Sequence, residues 1–197
     1  DETIDFVFAQ LHHPYQSEPW IDGNTDYTGL VIALLEEFTS TCNKPSIHFF
    51  GHTHAYSRGQ SRDHQHLWVN VASAGGNIDY WGEYAQVDYE QFTVSQDEWG
   101  FVVVEVEAGD TPNFRLKRIS RGNEIRSRDN EVRDEISVYL NNKGPNKPEA
   151  LEPRGDELSP RCNTFVGSAY SDPEMDLHGA SHWQLSADCN DFDELIH

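Results

Sequence analysis

Four histidines carry the chemistry open to this chain: His12 and His13 in Leu11-His12-His13-Pro14-Tyr15, and His52 and His54 in Gly51-His52-Thr53-His54-Ala55-Tyr56. Neutral imidazole is the commonest protein ligand for zinc, iron and similar metals. The apolar run Ser46-Ile47-His48-Phe49-Phe50 stops at Gly51, and two histidines follow at spacing i, i+2. That is the pattern of a buried strand delivering imidazoles from the loop at its tip. Gly51 allows the backbone to turn, or to approach an ion where a side chain would not fit. Pro14 disfavours the helical conformation for His13, so His12 and His13 are expected to be extended and to point to opposite sides, with only one facing a metal. His13 then either packs beside a ligand or acts on substrate, hydrogen-bonding phosphate or protonating a leaving group, and it is the catalytic candidate.

The elements that must position these side chains follow from the hydrophobic pattern. Residues Ile4 to Leu11 read as a mostly apolar strand ending at His12. Tyr27, Leu30, Val31, Leu34, Leu35 and Phe38 recur at helical spacing after a cap at Thr25 or Asp26, and Asn43-Lys44-Pro45 stops the helix before the strand that carries Gly51. Strand, helix and strand make a βαβ-like unit. Between strand and helix lies a polar loop in which Tyr15 or Trp20 is placed to wall a substrate pocket, or to pack down as a lid on the core. Leu67 to Ala72 is a further strand, followed by the small-residue turn Ser73-Ala74-Gly75-Gly76-Asn77. Tyr15 and Asn77 are the substrate-binding candidates. A second His-x-His, His64 and His66, precedes a strand instead of ending one, and reads as part of a hairpin turn. Residues 91–94, 99–106 and 113–119 read as consecutive antiparallel strands forming a second sheet. The charge-mixed stretch 121–142 reads as a solvated segment with an edge strand at 136–140.

Gly51-His52-Thr53-His54, continued by Ala55-Tyr56 and Arg58, resembles the last signature of the calcineurin-like metallophosphoesterases, and is most similar to their purple acid phosphatase branch. Leu11-His12-His13-Pro14 resembles the His-x-Pro motif of the same family. The resemblance implies a four-layer α/β/β/α sandwich and hydrolysis of phosphate esters at two divalent or trivalent metal ions, iron, zinc or manganese. It implies that His12 and His52 share one ion, that His54 holds its neighbour, and that Tyr56 and Arg58 are not catalytic. The family's upstream acidic motifs and its Gly-Asn-His-Asp/Glu segment are absent. The expectation is therefore that residues 1–142 form the second half of the domain, partnered by a missing N-terminal half. The alternative is a catalytically inactive structural or interaction module derived from such an enzyme; a different hydrolase would instead gather His64 and His66 beside His52 and His54.

The 197 residues carry Lys+Arg 14 against Asp+Glu 34, a formal net charge of -20, which argues against nucleic-acid or anionic-membrane binding. A phosphate ester would owe its attraction to bound metal ions. Prolines cluster in 143–160, read as a linker. Residues 161–197 resemble the start of a fibronectin- or immunoglobulin-like module of secreted bacterial proteins, pointing to a secreted or periplasmic setting; such a module needs about seven strands. In that setting Cys162 and Cys189 form a candidate disulfide. Asp172, Glu174, Asp176 and Asp188 are weak calcium candidates without a full EF-hand loop.

Overall fold

A computed structural model describes residues 3–153, 162–176, 178, 181, 183–184, 186–188 and 191–195. Strand β1 (Val7–Gln10) leads through a single 3-10 turn (Ile21–Gly23) into helix α1 (Asp26–Cys42) and strand β2 (Ser46–Phe50). Strands β3 (Tyr56–Gln60), β4 (His66–Val71) and β5 (Phe92–Gln96) complete a five-stranded sheet in the order β1-β2-β4-β3-β5. β1, β2 and β4 run parallel, whereas β3 is antiparallel to β4 and β5. A separate antiparallel sheet holds β6 (Trp99–Glu107), β7 (Asn113–Gly122) and β8 (Ser127–Tyr139).

The chain is thus mixed α/β, mostly sheet, with one α-helix among the described residues. That helix is too short in apolar length to cross a membrane. Strand β2 is covered on both faces, which is why its sequence runs almost without charge. Ile47 and Phe49 point into a core with Tyr56, Leu67 and Val69, closed from the other sheet by Phe114 and Leu116. His48 and Phe50 point to the helix side, where Phe50 packs with Ile32, Trp68 and Phe92. Fully burying one such apolar side chain contributes about 1.5–3 kcal/mol.

Two buried polar clusters cross these layers. Arg58 on β3 forks onto Asp134 on β8, with Arg58 Nη2 at 3.0 Å from Oδ1, and the Tyr56 hydroxyl donates to Asp134 at 2.6 Å. This ion pair ties the two sheets together. Beneath the helix, the Ser46 hydroxyl, His66 and His48 form a chain, with contacts of 2.7 Å from Ser46 Oγ to His66 Nδ1 and 2.9 Å from His66 Nε2 to His48 Nδ1. Burial, the largest cause, lowers His48 to about 3 and His66 to about 4, from an ordinary 6.5. Both are neutral in the folded protein.

The structure revises several expectations. β5 joins the first sheet, pairing with β3, because Phe92 is needed under the helix. The charged stretch 121–142 is mostly the long strand β8, whose Asp134 is buried by its pairing with Arg58. Helix α1 buries Thr28, Ile32, Leu35 and Thr39, leaving Tyr27, Leu30 and Leu34 exposed at 83%, 69% and 65%. Its rotation is set by Thr28, whose hydroxyl bonds the sheet-side loop at His13. The proline-rich linker contains strand β9 (Ala150–Glu152), paired with β10 (Val166–Gly167). Besides β10, the tail adds only the two-stranded β11 (Ser186–Asp188) and β12 (Asp191–Leu195) among the described residues. Asp172 Oδ1 accepts the N–H groups of Glu174 and Asp176, a local turn, and Glu174 pairs with Lys143 at 3.7 Å. Cys42 and Cys162 are exposed free thiols; Cys189 lies outside the described residues.

Two outcomes follow from the buried polar clusters. An unfolded histidine takes up its proton near 6.5, whereas the folded His48 and His66 hold out to about 3 and about 4. Stability is therefore complete above 6.5 and is lost as pH falls below it, by about 2 kcal/mol for each imidazole at about pH 5. Urea unfolding across that range measures the slope, and His48→Met flattens it by about half. Asp134→Ala strands a buried guanidinium and costs about 3–5 kcal/mol, whereas the double change Arg58→Met with Asp134→Leu recovers most of that loss in the same assay.

Candidate metal centre

The parallel register of β1 and β2 sets the histidine motifs side by side. Leu11 N–H donates to the Phe49 carbonyl at 2.9 Å, and Gly51 N–H donates to the His12 carbonyl at 3.0 Å. A Cβ on Gly51 would sit 3.2 Å from Ala72 Cβ, so the glycine permits this approach of neighbouring strand ends. The two following carbonyls are held from the helix side: Thr28 Oγ1 donates to His13 O at 2.8 Å, and Thr25 N–H to Pro14 O at 2.9 Å. The tip of β1 is fixed from both sides before the imidazoles themselves are considered.

The turn after Gly51 is tight. Thr53 N–H donates to Gly51 O and Ala55 N–H to Thr53 O, each at 2.9 Å. Asn70, fully buried on β4, donates from Nδ2 to the Thr53 carbonyl at 2.9 Å and accepts from Ala72 N–H at 3.0 Å. His52 is thereby held at φ 70, in the left-handed region that few residues other than glycine adopt. Backbone strain of this kind costs of order 1–3 kcal/mol and persists only where the surroundings impose it.

The result is a cluster of His12, His13 and His52 whose ring nitrogens come within 4.8 Å of one another. Ring centroids lie 4.7 Å apart for His12 and His13, 5.2 Å for His12 and His52, and 4.4 Å for His13 and His52. Two nitrogens bound to one tetrahedral zinc ion are roughly 3.4 Å apart, so small rotations of the exposed His12 and His13 close the set. Burial lowers the proton affinity of His52, and His13, His12 and His54 add to the effect in that order, with Asp79 opposing them. A neutral ring keeps its lone pair for a ligand. Trp20 stacks on His52 at 5.2 Å and 29°, and Tyr84 tilts against Trp20 at 5.7 Å, so one side of the cluster is walled by aromatic rings.

These contacts correct the sequence reading in three places. His12 and His13 do not diverge; both rings face His52, because the carbonyls of His12 and His13 are fixed by different partners and the chain twists between them. His54 is not in the cluster: its backbone N–H donates to Asp79 Oδ2 at 2.8 Å, and its Nδ1 lies 4.0 Å from Asp79 Oδ1. Tyr15 covers Gly29 of α1 and stands edge-on to Trp68 at 6.2 Å, so it seals the helix–sheet seam, and the aromatic wall of the imidazoles is Trp20. Asn77 is exposed in the loop that also bears Asp79, with Gly76 flush against the His54 ring. His64 and His66 lie elsewhere, His64 against Ser40 at 2.9 Å and His66 in the buried chain with His48. Sequence reasoning missed Thr28, Asn70 and Asp79. A threonine facing a helix start, an asparagine in a strand and an aspartate after a glycine turn are each too common to single out.

Comparison with known proteins adds little to this geometry. No family profile matches the chain, and no curated protein matches it. Among solved structures it is similar to one described as "GAP50 the anchor in the inner membrane complex of Plasmodium", at 14% identity and a TM-score of 0.41. The alignment covers 66% of this chain and 38% of that one.

Proposed function

We propose that this chain supplies the imidazole ligands of a metal-dependent phosphate ester hydrolase. The observation that carries the reading is the convergence of His12, His13 and His52, from two strand tips separated by a helix, within 4.8 Å. A structural imidazole is normally spent on a hydrogen bond, whereas here three rings crowd against one another, two of them exposed. Zinc, iron and manganese all accept such donors. When bound, the ion supplies Lewis-acid stabilisation of charge on a phosphoryl oxygen.

The chain's own residues fill the remaining parts. Trp20 and Tyr84 exclude water from one side of His52. Asn77, exposed beside the His54 loop, offers an amide to a phosphate oxygen. His13, proposed from the sequence as a catalytic acid, is better placed here as a ligand. The four-layer α/β/β/α sandwich is part of the same proposal, supported by three layers: α1, the mixed sheet and the sheet of β6, β7 and β8. So is the partnering half of the domain. β1 pairs only with β2 among the described residues, and the core between the sheets is open along that side, with Phe8 42% and Val106 58% exposed. Further strands would cover it and bring carboxylate ligands. A secreted or periplasmic setting belongs to this reading and rests on the resemblance of the tail alone.

Titration of the metal-free chain with Co²⁺ tests the proposal. The expected result is one tightly held ion, weakened about tenfold or more by His12→Ala, His13→Ala or His52→Ala. Hydrolysis of a chromogenic phosphomonoester and phosphodiester is then assayed with and without the ion. A chain that takes up no ion, or whose affinity ignores all three substitutions, is the metal-free module instead.

A further inference from the structure

Helix α1 lies over β2 and β4, and in a sheet ordered β1-β2-β4-β3-β5 no second α-helix stands beside it over β3 and β5 among the described residues. A groove of about 640 Å³ opens along this flank, between the helix and the loop segments at 61–64 and 90–91. Its floor is apolar and firmly set. Ile32 and Trp68 lie at the bottom, nearly fully buried, with Tyr15 edge-on to Trp68. Leu30 and the exposed Ala33 form the lip on the helix side. Trp68 Nε1 donates to Ser61 Oγ at 2.9 Å, and Ser40 Oγ meets His64 Nδ1 at 2.9 Å, so the facing loop is tied both to the floor and to the helix. The groove faces away from β1, the edge at which further strands would join, so they do not fill it.

Charge decides what fits there. Asp26, Glu36, Asp63 and Glu90 bring four carboxylates to the rim, against Arg62, whose guanidinium stands 4.0 Å from Asp63. Residues 26–42 of the helix include no lysine or arginine. A nucleic acid or an anionic lipid surface is repelled by such a rim, and so is a second copy of a chain whose formal net charge is -20. An uncharged apolar partner would cover carboxylates without compensating them. We propose that the groove binds a cationic amphipathic helix of a partner protein. The helix sets large apolar side chains against Leu30, Ala33 and Tyr15 and directs lysine or arginine at the carboxylates on either rim, the arrangement by which helices dock in grooves. Opposite charge steers the encounter, and the apolar floor supplies specificity for a segment with one apolar face. The inference is independent of any chemistry at the imidazoles.

The probe is a fluorescent peptide of leucine and lysine at helical spacing, about 18 residues or five turns long, titrated by anisotropy at about 50 mM salt. A peptide of the same composition with its leucines scattered around the helix is the control. The expected result is one-to-one binding of the amphipathic peptide, about tenfold or more tighter than the control. Its amide shift changes fall at 26–36 and 61–64. Glu36→Gln with Asp63→Asn weakens binding about fivefold, whereas Asp110→Asn with Glu124→Gln, an equal loss of charge on exposed turns of the second sheet, changes it less than twofold. Leu30→Ala, at a position 69% exposed and so harmless to the fold, weakens binding about threefold or more without altering charge. Circular dichroism establishes that each variant is folded. Equal binding of both peptides, or equal weakening by the two charge-removing pairs, reduces the effect to diffuse attraction of a polycation and overturns the inference. Absence of binding overturns it as well. Sedimentation showing a dimer that Leu30→Ala dissociates makes a second copy the occupant, and equally overturns it.

Discussion

The hydrogen bond from the Gly51 N–H to the His12 carbonyl is the constraint on which the site depends. It prolongs the parallel ladder of β1 and β2 past the last residue of either strand, so that two loops some forty positions apart in the chain leave the sheet as neighbours. A single backbone bond contributes about 0.5–1.5 kcal/mol, too little to assemble a site by itself. Its effect comes from what stands behind it. The apolar alternation of β2, the Thr28 hydroxyl on the helix side and the Asn70 amide on the β4 side each remove one remaining freedom from the two tips.

The same economy governs the interior. The sheet that presents the imidazoles is packed with polar groups an ordinary core would avoid: Ser46, His48 and His66 under the helix, and Arg58 with Asp134 between the sheets. Glu98 is buried as well, taking Ser120 Oγ at 2.6 Å and Arg128 Nε at 2.9 Å, while Arg118 donates to its carbonyl. Hydrophobic residues of similar volume often give comparable stability. The paired groups have direction, however, and we read them as devices that fix register. Tyr56 and Arg58 can meet Asp134 only when β3 and β8 cross at one offset.

Much of the site was legible because ligating residues have few bland uses in such contexts. Gly51-His52-Thr53-His54 after an apolar run gave the strand tip, and His12 gave its neighbour. Helix α1 was visible by period, with its start at Thr25 or Asp26, but not its rotation, since Tyr27, Leu30 and Leu34 fit a buried face as well as Ile32 and Leu35 do. The facing of His13 was lost for a related reason: alternation along a strand ends where the strand ends, and His13 lies beyond Gln10. β5 was assigned to the wrong sheet, and β8 was read over its last residues only, because strand pairing is long-range and local pattern does not encode it. Asp79 was unreadable for the same cause, since only the fold brings it to His54.

The left-handed backbone at position 52 bears on how this chain can change over time. Substitution there is filtered first by conformation and only then by chemistry. Branched and bulky side chains are excluded at the outset, and glycine, asparagine and aspartate are the inexpensive replacements. Two of those three still carry an oxygen able to hold a hard cation. Drift at this turn therefore leads by its easiest steps from an imidazole-rich site toward an oxygen-rich one, altering the preferred metal before the loop itself is lost.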